Sequence, residues 1–329
     1  MTITPFLTES WRAAAVEAGR YADASVTIPS AGRDLLVPAL RRKGAAGAVV
    51  PVLSSMPLGW GFGGIVADGP VDGADVRTVA AELVGSGTST LQFRPSPQQD
   101  VAFAESGVPW TGVKQNHSYE VDLTHDWSAV FGAFASSTRR ATRKAEKAGV
   151  RVERRTDPGA VAEFYRLYRL SVSRWALQSR LPGWLWQARA GYAEPLRKYH
   201  AVVSHMADDC GIWLAHHGGR VVAAIIVLSH GTEHAYWRGA MDADLAGPVR
   251  ANDLLQARAI EHACAQGATR YAMGLTGPGS GLARFKSGFG AQPRVSHEYL
   301  LDTPWRSRLR EAGHSVRWRA LATATRAGG

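Results

Sequence analysis

The stretch that most constrains the fold runs from Thr269 to Asp302, where four short patterns alternate between strand and helix. TRYAMG reads as a strand, LTGPGSG as a Gly/Pro loop, LARFKSGFG as a short helix and QPRVSHEYLLD as a second strand. Leu282, Phe285 and Phe289 stand at i, i+3 and i+7, which predicts one buried stripe along the helix. At 3.6 residues per turn Lys286 falls at the edge of that stripe, its stem held by apolar neighbours. Gly288 and Gly290 stop the helix and let backbone approach closely. A lysine pinned beside a glycine loop can place its ammonium on a developing oxyanion or a phosphate. A surface lysine that merely snorkels fits the same spacing.

The 329 residues leave room for about two domains. No apolar run approaches the roughly 20 residues a membrane span needs, and MTITPFLTESW lacks the basic and apolar regions of a signal peptide. Cys210 and Cys264 lie far apart without metal-ligand spacing, as expected of free thiols in a reducing, cytoplasmic setting. The eleven histidines form no HExxH or comparable ligand set, so no metal is expected. A net charge of +10 favours an anionic partner, whether RNA, a phosphorylated substrate or a lipid headgroup.

Along the chain, Thr8–Gly19 reads as a capped helix, and Arg33–Arg41 and Ala48–Leu53 as strands around a Gly44–Gly47 turn. Met56–Gly64 (MPLGWGFGG) is a glycine-rich loop with aromatics. A helix (Asp75–Val84), a strand (Ser89–Arg94), a short helix (Pro97–Ser106) and a strand (Tyr119–Leu123) follow. The second half opens with a helical segment, Asp126–Phe134, then a basic helix stopped by Gly149. Asp157-Pro158 starts a long helix, and more aromatic helix surrounds Trp184, Trp186 and Tyr192. Three strands come next (CGIWLAHH, RVVAAIIVLS, HAYWRGAM), then an Ala-rich helix over Pro248–Gln266. The halves thus repeat one order of elements, with Arg94 and Thr276 ending equivalent strands. That order predicts a tandem duplication of one α/β unit.

Three groups of residues carry potential chemistry. In the basic helix, Arg139, Arg143 and Lys147, and likewise Arg140 and Lys144, fall at i,i+4 steps. A polyanion would relieve the repulsion of such like charges, and a solvated face explains them equally well. The long helix carries Tyr165, Tyr168, Arg169, Arg174 and Trp175; Tyr168 and Trp175 read as core. Arg174 is hard to bury unpaired, which suits a substrate phosphate or carboxylate. On the strand His234–Gly239, alternation puts Tyr236 and Arg238 on one face and Trp237 on the other. The Gly277-x-Gly279-x-Gly281 loop lacks the context of a dinucleotide site and reads as a tight turn.

The series RRATRKAEKAGV, FYRLYRLSVSR, VVAAIIVLSHGTEHAYWRGA, RANDLLQARAIEHACAQG and GLARFKSGFGAQP resembles the FemAB-like branch of the GNAT acyltransferases, from about Trp127 to Leu301. The resemblance implies an α/β (α+β) chain of two tandem GNAT-like domains, each a mixed, mostly antiparallel sheet flanked by helices. They would be residues 1–125, completed by 303–329, and a catalytic domain over 126–302. It implies an N-acyltransferase that forms an amide, with aminoacyl-tRNA as co-substrate, no bound cofactor, and a peptide-like metabolite or cell-wall precursor as the amine acceptor. Lys286 and Tyr236 would be catalytic; Arg174, Tyr165, Arg169, Arg238 and Phe285 would bind substrate; Arg139, Arg140, Arg143, Lys144 and Lys147 would contact tRNA. Two features depart from the pattern: a long coiled-coil arm is missing, and Gln178 stands where a tyrosine often follows that arginine. This leaves the usual UDP-sugar acceptor open. A CoA-dependent GNAT would carry a Q/R-x-x-G-x-G/A loop, which Asp242–Asp253 (DADLAGPVRAND) does not match, and Pro248 removes one N–H donor there. An acyl-CoA-dependent N-acyltransferase of polysaccharide or envelope synthesis is the alternative enzyme; a non-catalytic RNA-binding relative is the alternative of another class. The basic C-terminal segment from Thr303 is expected to pack on the first domain or to touch a membrane surface peripherally.

Overall fold

The computed structural model describes residues 4–44, 52–123, 126–178, 184 and 191–302. The expected strand start at Ala48, Trp186 and the basic segment 303–329 lie outside the described residues. In chain order the elements are α1 (Glu9–Glu17), β1 (Tyr21–Asp23), β2 (Val26–Ser30), β3 (Arg33–Val37), β4 (Leu40–Arg42), β5 (Val52–Ser55), β6 (Val66–Ala67), α2 (Gly73–Gly85), β7 (Thr90–Phe93), α3 (Asp100–Ala104) and β8 (Gly112–Asp122). They continue with α4 (Trp127–Ala133), α5 (Ser136–Lys147), β9 (Arg151–Arg155), α6 (Pro158–Gln178), α7 (Leu196–Met206), β10 (Cys210–His217), β11 (Arg220–His230) and β12 (Glu233–Met241). Last come α8 (Ala243–Val249), α9 (Ala251–Ala265), β13 (Arg270–Leu275), α10 (Gly281–Ser287) and β14 (Gln292–Asp302).

The described residues within 4–20, 58–61 and 116–296 pack into one compact unit, and those within 21–57, 62–115 and 297–302 into another. In the larger unit the strands run β8-β13-β12-β11-β10-β9. All neighbours are antiparallel except β12 and β13, which are parallel. Seven consecutive residues of β11, Ala223 among them, are buried, so this sheet is covered on both faces. One cover is α9, whose Leu254, Leu255 and Ile260 join Ile225, Val227 and Tyr271 in a continuous core. The other includes α6, where the Ser171 hydroxyl bonds the backbone of Met241 at the end of β12.

In the smaller unit the strands run β1-β4-β5-β7-β14, beside a three-stranded sheet, β2-β3-β6. Its core gathers Leu35, Phe93, Phe103 and Tyr299. The C-terminal part of β8 pairs with β13 inside the larger unit, while the C-terminal part of β14 pairs with β7 inside the smaller. Neither unit is therefore one continuous piece of chain.

Local signals account for most element ends. The Thr8 hydroxyl accepts from Trp11 N (3.2 Å), and Asp157 Oδ1 from Gly159 N (2.9 Å), as expected of capping residues. Three expectations are corrected. The strand expected over Arg33–Arg41 is interrupted at Pro38-Ala39, where proline cannot donate to a ladder. The helix expected from Pro248 is two helices, α8 and α9, separated by Arg250 in the left-handed conformation (φ 58°). Trp175 is 39% exposed rather than core, whereas Tyr168 is buried.

Candidate active site

The parallel pairing of β12 with β13 covers only Glu233–Ala235 and Arg270–Ala272. Beyond that point both strands become irregular. On β12 the register against β11 passes from Tyr236 to Arg238, which leaves Trp237 as a bulge residue. On β13 Gly274 has φ 74°, and the register against β8 shifts between Ala272 and Leu275. The strands thus part, and the stretch Tyr236–Met241 of β12 has no ladder partner on the β13 side among the described residues.

Lys286 lies at this parting. Its side chain is almost fully buried, and its ammonium donates to Gly274 O (2.9 Å), Leu275 O (3.2 Å) and Thr276 Oγ1 (2.8 Å). It therefore gives these carbonyls a donor where β13 leaves regular pairing at Gly274. The Tyr119 ring lies 5.9 Å away. Burial pulls the amine pKa down to about 8. The expected stripe is buried only in part: Phe289 is fully buried just beyond α10, which ends at Ser287, whereas Leu282 is 50% exposed and the helix itself buries Ala283 and Lys286. Phe285 is half-buried against Phe289 (5.1 Å between ring centres). In the smaller unit, Arg94, which follows β7, is held by Glu298 (2.8 Å) and Met56 O (3.0 Å).

The bulge also overturns the expected alternation on β12. Tyr236 packs against the core cluster of α9, and burial pushes its hydroxyl up to about 12. Trp237 and Arg238 instead reach the same atom, the Gly59 carbonyl, from Nε1 (3.4 Å) and Nη2 (2.8 Å). Arg238 also donates to Glu194 Oε1 (2.8 Å), so it is turned inward rather than offered to a ligand. Lys198 Nζ joins them, donating to Gly59 O and to Glu194 Oε1 (both 3.0 Å) above the Trp60 ring (4.4 Å). Tyr199 adds a hydroxyl bond to Glu194 Oε2 (3.1 Å). Burial pulls the Lys198 pKa down to about 7, with Glu194 opposing it. Burial pushes the Glu194 carboxyl up, but Arg238 and then Lys198 outweigh it, and the net shift is downward. Nothing in the sequence pattern marked Glu194 or Lys198; the glycines beside Trp60 were the only local signal.

The remaining expected residues are distributed as follows. On α5, Arg140, Arg143, Lys144 and Lys147 are exposed on one face, while Thr138, Ala141, Thr142 and Ala145 are buried. Arg139 is different: it donates to Gly132 O (2.6 Å) and Phe134 O and so closes the end of α4. Tyr165 and Arg169 line a shallow groove of about 540 Å³ on α6 with Arg166, Leu170 and Leu196. Arg174 is half-buried one turn beyond it. The connection from β12 to α9 is α8, whose first turn is capped by the Asp242 carboxylate on Asp244 N (3.2 Å) and Leu245 N (3.4 Å). Among the described residues no group of three His, Cys, Asp or Glu is placed to hold a metal ion, and no helix is long and apolar enough to cross a membrane.

A parallel strand pair that parts beside a buried lysine, backed by a long helix, defines an acyltransferase of the GNAT fold, and residues 132–287 match the acetyltransferase (GNAT) domain family. The match gives this part of the chain as a GNAT-type acyltransferase domain, and with it a transferase. It is similar to FemX over 93% of this chain and 98% of that one, at 13% identity and TM-score 0.64. A conserved protein of unknown function from Bacteroides thetaiotaomicron is 10% identical, with TM-score 0.55 and 88% and 89% of the two chains covered. The C-terminal DUF2156 domain of a candidate lysylphosphatidylglycerol synthetase from Agrobacterium fabrum is 14% identical, with TM-score 0.53 and coverage of 94% and 92%. No curated protein sequence matches the chain.

Proposed function

We propose that this enzyme transfers an amino acid from aminoacyl-tRNA to the amine of a peptide-like metabolite or cell-wall precursor. The observation that carries the reading is the connection between β12 and α9. A CoA donor calls for a cradle of free backbone N–H groups around its pyrophosphate. Here that connection is wound into α8, and its leading N–H groups are occupied by the enzyme's own Asp242 carboxylate. Arg250 then turns the chain through a left-handed residue into α9. The exposed face of Arg140, Arg143, Lys144 and Lys147 supplies the extended cationic surface that a tRNA backbone favours. The name of the Agrobacterium relative, a lysylphosphatidylglycerol synthetase, supports an aminoacyl group as the one transferred.

In the reaction the amine nitrogen attacks the ester carbonyl; the C–N bond forms and the ester C–O bond breaks. The amine's proton ends on the released ribose hydroxyl of the tRNA. The ester is already activated, so positioning and oxyanion stabilisation dominate. Lys286 would stabilise the oxyanion by exchanging its Thr276 hydroxyl partner for the substrate oxygen while Gly274 O and Leu275 O hold the amine in place. Tyr236 would line the cleft, and Tyr165, Arg169 and Arg174 would face the acceptor.

The test supplies candidate amines with charged tRNA or, separately, with acyl-CoA, and follows amide formation by mass spectrometry. Product abolished by RNase, or by omitting the aminoacyl-tRNA synthetase, is the expected result. Product that resists RNase and requires acyl-CoA would establish the other donor, which the acetyltransferase family match favours.

A further inference from the structure

The charged network around Gly59 has no counterpart in the chemistry above, and its geometry is unusual. Three donors converge on one carbonyl oxygen: Lys198 Nζ (3.0 Å), Arg238 Nη2 (2.8 Å) and the Trp237 indole (3.4 Å). Trp237 and Arg238 are neighbours on one strand. Regular alternation sends neighbours to opposite faces, so both can reach one oxygen only because the strand is bulged there. The convergence of these donors on the carbonyl therefore depends on the bulge.

Everything else in the network holds that carbonyl still. Glu194 accepts from Lys198, Arg238 and Tyr199. Arg238 bonds the Trp237 carbonyl (2.9 Å), tying down the backbone of the bulge residue itself. The Trp60 carbonyl accepts from the Trp11 indole (2.9 Å), and the Trp11 and Trp237 rings meet edge to face at 5.0 Å. Gly59 has φ 87°, and a Cβ there would lie 3.2 Å from Glu194 Oε1 and 3.3 Å from Arg238 Nη2, so only glycine brings this carbonyl so close. Two cations and one anion are withdrawn from water for this. Such networks seldom add stability over an apolar replacement, whereas they can select one conformation among several.

We propose that Lys198 and Glu194 are positioning residues for acyl transfer: they clamp the Gly59 carbonyl, which fixes the Trp237 bulge and so keeps β12 parted from β13 at the reacting centre. The proposal rests on acyl transfer in that cleft, and not on the identity of the donor. Without the clamp, β12 can revert towards regular pairing, and the parted stretch samples closed or mobile forms.

Lys198→Met keeps the stem and removes the ammonium; Glu194→Gln keeps the shape and removes the anion, and serves if the first variant does not fold. Hydrogen exchange read by mass spectrometry is compared for peptides covering Tyr236–Met241 and, as a reference, Cys210–His217. Loss of one charge-assisted bond predicts exchange roughly tenfold faster or more in Tyr236–Met241, with the reference unchanged. With charged tRNA and an accepted amine, kcat should fall by about tenfold or more while KM for the amine stays within about twofold, the mark of lost positioning rather than lost binding. Thermal midpoints should fall modestly, because each variant leaves a buried charge short of one partner. Exchange that is faster by the same factor in Cys210–His217 as in Tyr236–Met241, or local exchange like wild type, would overturn the proposal. The exchange arm needs no substrate, so it stands even if the donor assignment fails.

Discussion

Replacing Lys286 with methionine separates two consequences of burying an ammonium beside the cleft. Burial holds its pKa at about 8 against the usual 10.5, a displacement that disfavours the charged form by about 3 kcal/mol. Methionine relieves that penalty but orphans Gly274 O, Leu275 O and Thr276 Oγ1, each at a cost of about 1 kcal/mol or more. The two effects oppose each other to within about 2 kcal/mol near pH 7, so the variant should fold. The pH dependence is sharper. At pH values between 8 and 10.5 the unfolded chain retains the Lys286 proton and the folded chain has released it, so stability rises with pH. This contribution is complete above the unfolded pKa and is lost as pH falls through the folded one. Wild type should therefore gain about 2 kcal/mol on the variant from pH 8 to pH 10. Urea unfolding of both proteins, followed by circular dichroism across pH 7 to 10, reads the difference directly, because other titrating groups cancel. A flat difference would refute the buried ammonium. In the donor assay at neutral pH, turnover of the variant should drop roughly 10²–10³-fold, as for loss of one oxyanion donor; a wild-type rate would remove Lys286 from the chemistry.

Other outcomes follow from the same contacts. Changing Arg143 and Lys144 to Gln should weaken tRNA binding and flatten the log–log salt dependence by nearly one unit for each lost phosphate contact; an unchanged slope would leave the face merely solvated. Arg139→Gln should leave that slope alone and lower stability by about 1 kcal/mol, since its guanidinium serves the carbonyls of Gly132 and Phe134. Gly61→Ala would put a Cβ 2.3 Å from the Phe6 ring at φ 81°, so its thermal midpoint should fall by several degrees, a loss of about 2 kcal/mol or more. A midpoint equal to wild type would mean the loop relaxes freely.

Local chemistry in the sequence was enough to place the caps at Thr8 and Asp157, the stop at Gly149, the three antiparallel strands of the second half and the repeated order of elements. Each rests on a period or a cap that neighbouring residues set among themselves. The exposed basic face of α5 was legible for the same reason, since i,i+4 spacing survives whatever the helix packs on. Tertiary structure decided the rest. Arg139 left the basic set because a carbonyl in the preceding helix end was within reach. Lys286 is buried where β13, irregular at Gly274, turns two carbonyls towards its ammonium, which no periodicity on α10 can reveal. Alternation failed at Trp237 because a bulge inserts one residue without any change in the pattern of residue types. Glu194 and Lys198, an i,i+4 pair, carried no signal that set them apart, and Gly59 showed only as part of a glycine-rich loop: it lies far from them in the chain, and only folding brings the ammonium to within 3.0 Å of both the carboxylate and the glycine carbonyl.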